Sequence, residues 1–480
     1  MKSIFLSSRI KFSIIFAFFA ATAAAQQRSG AGSAGTVPFT DVNIGWWRGA
    51  WDEELADYIA EGIENNADIE LLEIRIRQAR KLEDAARASG FPLIAAGAGY
   101  SHFINPSELG TLTVTPHSGL IAPFSVTLPN PVKSAGIFSV PLAASWEVDI
   151  FGKNRDKIKT ARKNVEVLRH ELHGIYVSLA ASIAVMYLNL VKIDAALEAG
   201  EEAIALYDRL VRDIEQRAAQ GASAIIELNR VKQERNAAII NCNTLRLTRA
   251  TISSVFLQTI GREETGVPAE VTSYAKLASA PAIPDIPNSS VFFRPDVLAA
   301  GAKLESANIT AKIARKEYLP VFGISGALLF NAPVAASESG LLSFSGSGLI
   351  TSFSAGLGMT LFDGGQKRAA ENITKIESEA AAREYAKSIR NAARELGDSL
   401  LRLRTAESNY ERAAESMKLE KVIYSEYQKQ RAAGLISSDI LLRARIAFLI
   451  SETACADADI DSRIAIVEVY KNTAGNIPSQ

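Results

Sequence analysis

Few residues of this 480-residue chain are placed to make or break bonds. His170 and His173 stand three apart with Glu171 between them, a spacing compatible with metal ligation on one helix face. No third ligand accompanies them, and they read as ordinary helix-surface residues. Asp363-Gly364-Gly365 resembles a glycine-rich anion loop, but the Lys-Ser/Thr that completes a phosphate cradle is missing, so it reads as a strand-to-helix turn. The chain contains no G-x-S-x-G, H-E-x-x-H or C-x-x-C. Two cysteines, Cys242 and Cys455, cannot build a disulfide framework or a Cys-rich zinc site and are expected as free thiols. The sequence therefore predicts no enzyme, no cofactor and no metal.

The remaining chemistry is that of charges and of surfaces. Lys and Arg number 52 against 53 Asp and Glu, a net charge of −1, so nothing favours a nucleic-acid partner. Hydrophobic residues make up 48% of the chain, enough for a large core, and the mean hydropathy is +0.07. No run of 18 apolar residues follows the N-terminal region, which argues against a multi-span helical transporter. Residues 1–25 read as a secretory signal peptide: Lys2, Arg9 and Lys11 precede a short apolar segment (12–20), and Ala23–Ala25 offers an A-x-A cleavage site. The alternative, a membrane anchor, needs a longer apolar run. Residues 26–37 are a Gly/Ser/Ala-rich leader, and no Cys near the cleavage point supports a lipid anchor.

The chain repeats itself with an offset of 213 residues. Gly152, Arg155, Gly221 and Cys242 match Gly365, Arg368, Gly434 and Cys455. Each copy opens with an extended segment of period two. In 138–150, Phe138, Val140, Leu142, Ala144, Trp146, Val148 and Ile150 alternate with Ser139, Pro141, Ala143, Ser145, Glu147 and Asp149. In 349–361, Leu349, Phe353, Ala355, Leu357, Met359 and Leu361 alternate with small or polar residues, Ile350 excepted. Partner strands are expected at 91–104 and 319–330, with loops at 105–133 and 331–348. That makes two hairpins, four strands in all, with one apolar face and one small, polar face.

A long helix follows each hairpin. Between Gly152 and Gly221 there is no Pro, and apolar residues step by three and four from Ile158 to Ala218. The second copy, 366–431, has a weaker, Ala-rich seam ending at Gly434. Return helices are expected at about 223–258 and to about 471. Helices this long need partners along their whole length, and four amphipathic strands cannot close a barrel alone. The economical solution is several chains contributing to one cylinder. The polar face, with Glu147 and Asp149 as acids facing the lumen, would line it.

At these residues the chain resembles the TolC-type outer-membrane factors, and more closely their OprM/NodT branch. The matching stretches are Trp46-Trp47 with Trp51 and the helix after them, 146–155, 292–320, 361–369, and the turn segments 217–228 and 431–442. The resemblance covers about 38–471. It implies a mainly α fold with a trimeric, 12-stranded outer-membrane β-barrel, four strands per chain, continued by a long periplasmic α-helical barrel. It divides the chain into leader and equatorial helices (26–90), a first membrane hairpin (91–151), a first helical hairpin (152–261), an equatorial segment (262–318), a second membrane hairpin (319–363), a second helical hairpin (364–471) and a tail (472–480). The implied partners are two further copies, a periplasmic adaptor, an inner-membrane RND-type pump and outer-membrane lipid. The implied function is a passive efflux duct. Protein secretion or a non-channel surface stalk are the alternatives. The turns at Gly221 and Gly434 would form the periplasmic tip, with Glu227, Arg230, Asp439 and Arg443 as gate candidates. Gly152, Gly364 and Gly365 would form the strand-to-helix turns. Asp439 stands five residues after Gly434, whereas Glu227 stands six after Gly221.

Overall fold

The computed structural model describes residues 53–104, 111–114, 124–127, 134–219, 225–262, 269, 271–277, 286–336, 342–344 and 348–475. The signal peptide, the leader, Trp46, Trp47, Trp51, Gly221 and the tail beyond 475 lie outside the described residues. The chain forms two compact units, one holding 78–165 with 303–381, the other the remaining described residues.

The first unit is built on an antiparallel sheet. β1 (Leu93–Ala96) and β2 (Gly99–Ile104) both pair with β5 (Ser134–Val148), so they form one track. β5 pairs with β6 (Val321–Ala336) from Gly136–Val334 to Val148–Phe322. β6 pairs with β8 (Gly348–Gly358) and, at its far end, with the short β7 (Leu342–Phe344). The two halves of the chain thus share one sheet of four tracks, joined through β5 and β6. Two expected loops carry strand. A separate small hairpin, β3 (Thr111–Val114) with β4 (Phe124–Thr127), occupies part of 105–133, where alternating Thr, Val, Leu and Phe favour extension. β6 continues through 331–336, paired with β5 as far as Val334 and with β7 over Val334–Ala336.

Directly opposed residues of an antiparallel ladder share a face. The register therefore aligns the apolar sets of both halves: Val140 opposes Phe330, which opposes Leu349; Trp146 opposes Ile324, which opposes Ala355. The other face carries Ser145, Ser325 and Ser354 in one row, and Glu147, Gly323 and Gly356 in the next. On this face Val140, Leu142 and Phe330 are exposed, while Trp146 is buried and its indole N–H donates to the Gly90 carbonyl (2.9 Å). Phe353 and Leu357 on β8 are 57% and 64% exposed. Among the described residues, the outer edges of β1/β2 and of β8 pair with no other strand.

The helices are α1 (Glu53–Asn65), α2 (Ala67–Ala88), α3 (Lys153–Ala219), α4 (Ile225–Thr259), α5 (Pro295–Lys316), α6 (Gln366–Ala432) and α7 (Ser438–Asn472). α3 and α6 have 67 residues each, α4 and α7 have 35 each, and every boundary in the second copy stands 213 residues after its counterpart. At 1.5 Å per residue, 67 residues make a helix roughly 100 Å long. The matching lengths carry the internal duplication into three dimensions.

The main core lies in the second unit. Ile183, Tyr187 and Leu190 of α3 are fully buried among Leu55 and Ile59 of α1, Phe256 of α4 and Ile460 of α7. By length and composition α3 could cross a membrane, but over half of its most apolar stretch is buried inside the protein. Burial there exceeds the expected seam, since Ala180, Ala184, Leu188 and Val191 are buried too. α6 differs: only Ala392, Leu396, Ser399 and Leu403 are buried, while Leu401, Leu419 and Val422 stand exposed. Such a helix cannot draw its stability from this chain alone.

The face assignment is testable. Leu328→Arg, on the apolar face of β6, should cost about 2–4 kcal/mol of stability in lipid, while Ser325→Arg on the opposite face should cost under about 1 kcal/mol. Urea titration of protein folded into vesicles measures both; equal costs would show that neither face contacts lipid.

Candidate functional site: strand-to-helix turns and the helix-hairpin tips

Each long helix starts under a carboxylate. Asp149 accepts from the backbone N–H of Asn154 (3.2 Å) and Arg155 (2.9 Å). Asp363 accepts from Gly365 (2.9 Å) and Lys367 (3.1 Å). These groups satisfy orphan donors of the first turn and favour the positive end of the helix dipole. Gly152, Gly364 and Gly365 adopt φ of +73°, +65° and +93°, values that disfavour any residue with a Cβ. The N–H groups that a phosphate would need are thus occupied by Asp363, consistent with a turn rather than an anion loop.

Asp149 does not stand beside Glu147 as a second acid on the sheet's polar face. Its side chain is only 3% exposed, because its oxygens are taken up by the helix N-terminus. Glu147 is half-open, with Lys153 Nζ 3.9 Å away and shared with Glu317 at 3.2 Å. The alternation of residues places both acids on one face; the cap at the end of the strand withdraws one of them.

The tip candidates fall into a network in the second unit. Arg443 of α7 lies 3.7 Å from Glu227 and 3.6 Å from Glu234, both on α4. Arg230 lies 3.4 Å from the same Glu234. Asp439, in the first turn of α7, lies 3.3 Å from Arg217 in the last turn of α3, a charge contact outside hydrogen-bond alignment. Burial alone would raise the Asp439 carboxyl. A hydrogen bond from Ser437 and the charges of Arg217 and Arg443 outweigh it and hold the group below the ordinary aspartate value. Gly434 (φ +70°) closes α6: its N–H reaches the Arg431 carbonyl and that of Leu435 reaches Gln430, a Schellman turn. The matching glycine, Gly221, is outside the described residues.

Sequence reasoning missed Arg217, Glu234 and Arg445. Glu234 was accessible as the i+4 partner of Arg230. Arg445 bonds Glu202 of α3 (2.9 Å) and Glu452 (3.0 Å), and lies over the rings of Tyr424 on α6 and Phe448. No spacing in the sequence announces those contacts. The first three turns of α7 are therefore tied to α3, α4 and α6. His170 and His173 are half-buried rather than surface residues, their rings 6.5 Å apart, with His170 3.9 Å from Glu166. Cys242 and Cys455 are free and buried.

Comparison with known proteins places this architecture. The model of the family described as outer membrane efflux protein matches residues 59–261 and 291–475. The toluene efflux pump outer membrane protein TtgF of Pseudomonas putida is 24% identical over 75% of this chain and 70% of its own. The outer membrane protein OprJ of Pseudomonas aeruginosa is 24% identical, covering 88% and 84%. Among solved structures, the Campylobacter jejuni CmeC outer membrane channel superposes with a TM-score of 0.71 at 20% identity, over 89% of this chain and 86% of that one. The chain belongs to the outer membrane efflux protein family. It is the outer-membrane component of an efflux system, and its fold is that of the outer-membrane channels.

The Asp439 carboxylate, held by Ser437, Arg217 and Arg443, has a defined pH signature. A carboxyl held low in the folded state stabilises above the unfolded value, near 3.9, and that contribution is lost as pH falls through the lower folded value. Asp439→Asn should therefore cost about 1 kcal/mol at neutral pH and nothing in strong acid. Thermal melts from neutral to acid pH measure the difference; a cost that persists unchanged in acid would show that the charge on Asp439 contributes nothing to stability.

Proposed function

We propose that three copies of this chain form a passive export duct for small molecules, working with a periplasmic adaptor and an inner-membrane RND-type pump. The observation that carries this reading is the sheet: four tracks, one largely apolar face and, among the described residues, two outer edges that pair with no other strand. Open edges are not tolerated in lipid, where each unpaired N–H or C=O costs several kcal/mol. Joining the edge of one copy to that of the next removes them. Three copies then give twelve strands, an even number within the range of membrane barrels. The face bearing Ser145, Ser325, Ser354 and Glu147 lines the water-filled bore.

The same closure gives the exposed residues of α6 their partners in a helical barrel on the periplasmic side. Energy comes from the pump; this chain supplies a path and a gate. The gate is the charge network of Glu227, Arg230, Asp439 and Arg443, extended by Arg217 and Glu234. It ties α7 to both helices of the first hairpin. Adaptor binding favours the state in which those ties are broken, and the shift in population cannot exceed the difference in adaptor affinity between the two states. The names of the relatives are consistent with small-molecule efflux, since TtgF belongs to a toluene pump.

Purified protein in planar bilayers should show small, rare openings. The double variant Asp439→Asn/Arg443→Ala should raise the resting conductance several-fold while leaving the oligomer intact. Absence of current from both proteins would refute a channel; equal current from both would refute the gate.

A further inference from the structure

The carboxy-terminal half of α5 touches the roots of both long helices at two levels. At the upper level Ser306 donates to Asn164 of α3 (3.0 Å), and Ser378 of α6 donates to Asn308 (2.6 Å). At the lower level Lys316 Nζ bonds Asp156 Oδ2 (2.7 Å) and the Gly152 carbonyl (3.1 Å), while Arg315 lies 3.5 Å from Glu371 of α6. The two levels are nine or so residues apart, roughly 13 Å along the helix. One contact level would fix a spacing; two fix an angle as well. Residues adjacent in sequence diverge to opposite sides, Arg315 toward α6 and Lys316 toward α3. The Lys316–Asp156 pair is the firmest contact, as the Asp156 side chain is only 12% exposed. Burial would raise that carboxyl, yet hydrogen bonds and charge from Lys316 and Lys159 hold it below its ordinary value. α5 precedes the second hairpin as α2 precedes the first, each a helix of 22 residues.

We propose that the end of α5 is a strut, with Lys316 and Arg315 as positioning residues, that fixes the separation and angle of α3 and α6 at their roots in every working state of the channel. The proposal rests on the channel reading above for its purpose but not for its test.

Spin labels at Lys157→Cys and Glu377→Cys, in a Cys242→Ala/Cys455→Ala background and diluted with unlabelled chains, report the root spacing directly by electron paramagnetic resonance. A narrow distance distribution is expected, unchanged when Arg443→Ala loosens the tip. Lys316→Met/Arg315→Met should broaden it at least twofold, and Lys316→Arg should keep it narrow. Should the double variant fail to fold, Arg315→Met alone is expected to broaden the same distribution. In planar bilayers the Met variant should replace one open level by several sublevels. A distance that shifts with Arg443→Ala, or one indifferent to loss of Lys316 and Arg315, overturns the strut. A wild-type protein that passes no current overturns the channel reading and leaves the distance measurement to judge the strut.

Discussion

Backbone hydrogen bonding at the two sheet edges is the requirement from which the rest of the architecture follows. β5 and β6 are paired on both sides, but among the described residues β1/β2 and β8 each present one row of N–H and C=O groups without a strand beside them. The apolar face that runs across all four tracks makes water a poor environment, and the open edges make lipid a worse one. Both demands are met when the edges of separate copies join. The long helices inherit that arrangement because each begins within a few residues of a strand end, at Lys153 and Gln366.

Duplication supplies two nearly equivalent halves, and charge makes them unequal. Helix lengths and boundaries repeat at a constant offset, as do Arg230 and Arg443, which share Glu234. Their other partners do not repeat: Asp439 pairs with Arg217, and Glu227 pairs with Arg443. The halves also differ in burial. α3 is enclosed by α1, α4 and α7, whereas α6 buries four residues. The return helices reverse that order, since α7 buries fourteen residues and α4 buries five.

The fold class, the offset of 213 residues and the two faces of the sheet were legible in the amino-acid sequence. Period two places Val140 and Leu142 on one side of β5, and Phe353 and Leu357 on one side of β8, whatever the tertiary context, and period 3.5 marks α3 as a continuous helix. These are signals of backbone geometry, repeated over many residues, so single exceptions do not erase them. The turn glycines at 152, 364, 365 and 434 were legible for the same local reason, as glycine adopts their positive φ without the steric cost of a Cβ.

Tertiary structure alone decided which charge meets which. Alternation groups Asp149 with Glu147, but the start of α3 captures the Asp149 carboxylate and leaves Glu147 on the face alone. The partners of Arg443 and Asp439 lie more than two hundred residues away along the chain, and Arg445 finds Glu202 and the Tyr424 ring on separate helices. An ion pair between helices needs only one well-placed residue on each, so it leaves no periodic trace. Periodicity reveals which face a residue occupies; it carries no information about what stands opposite until the elements are packed.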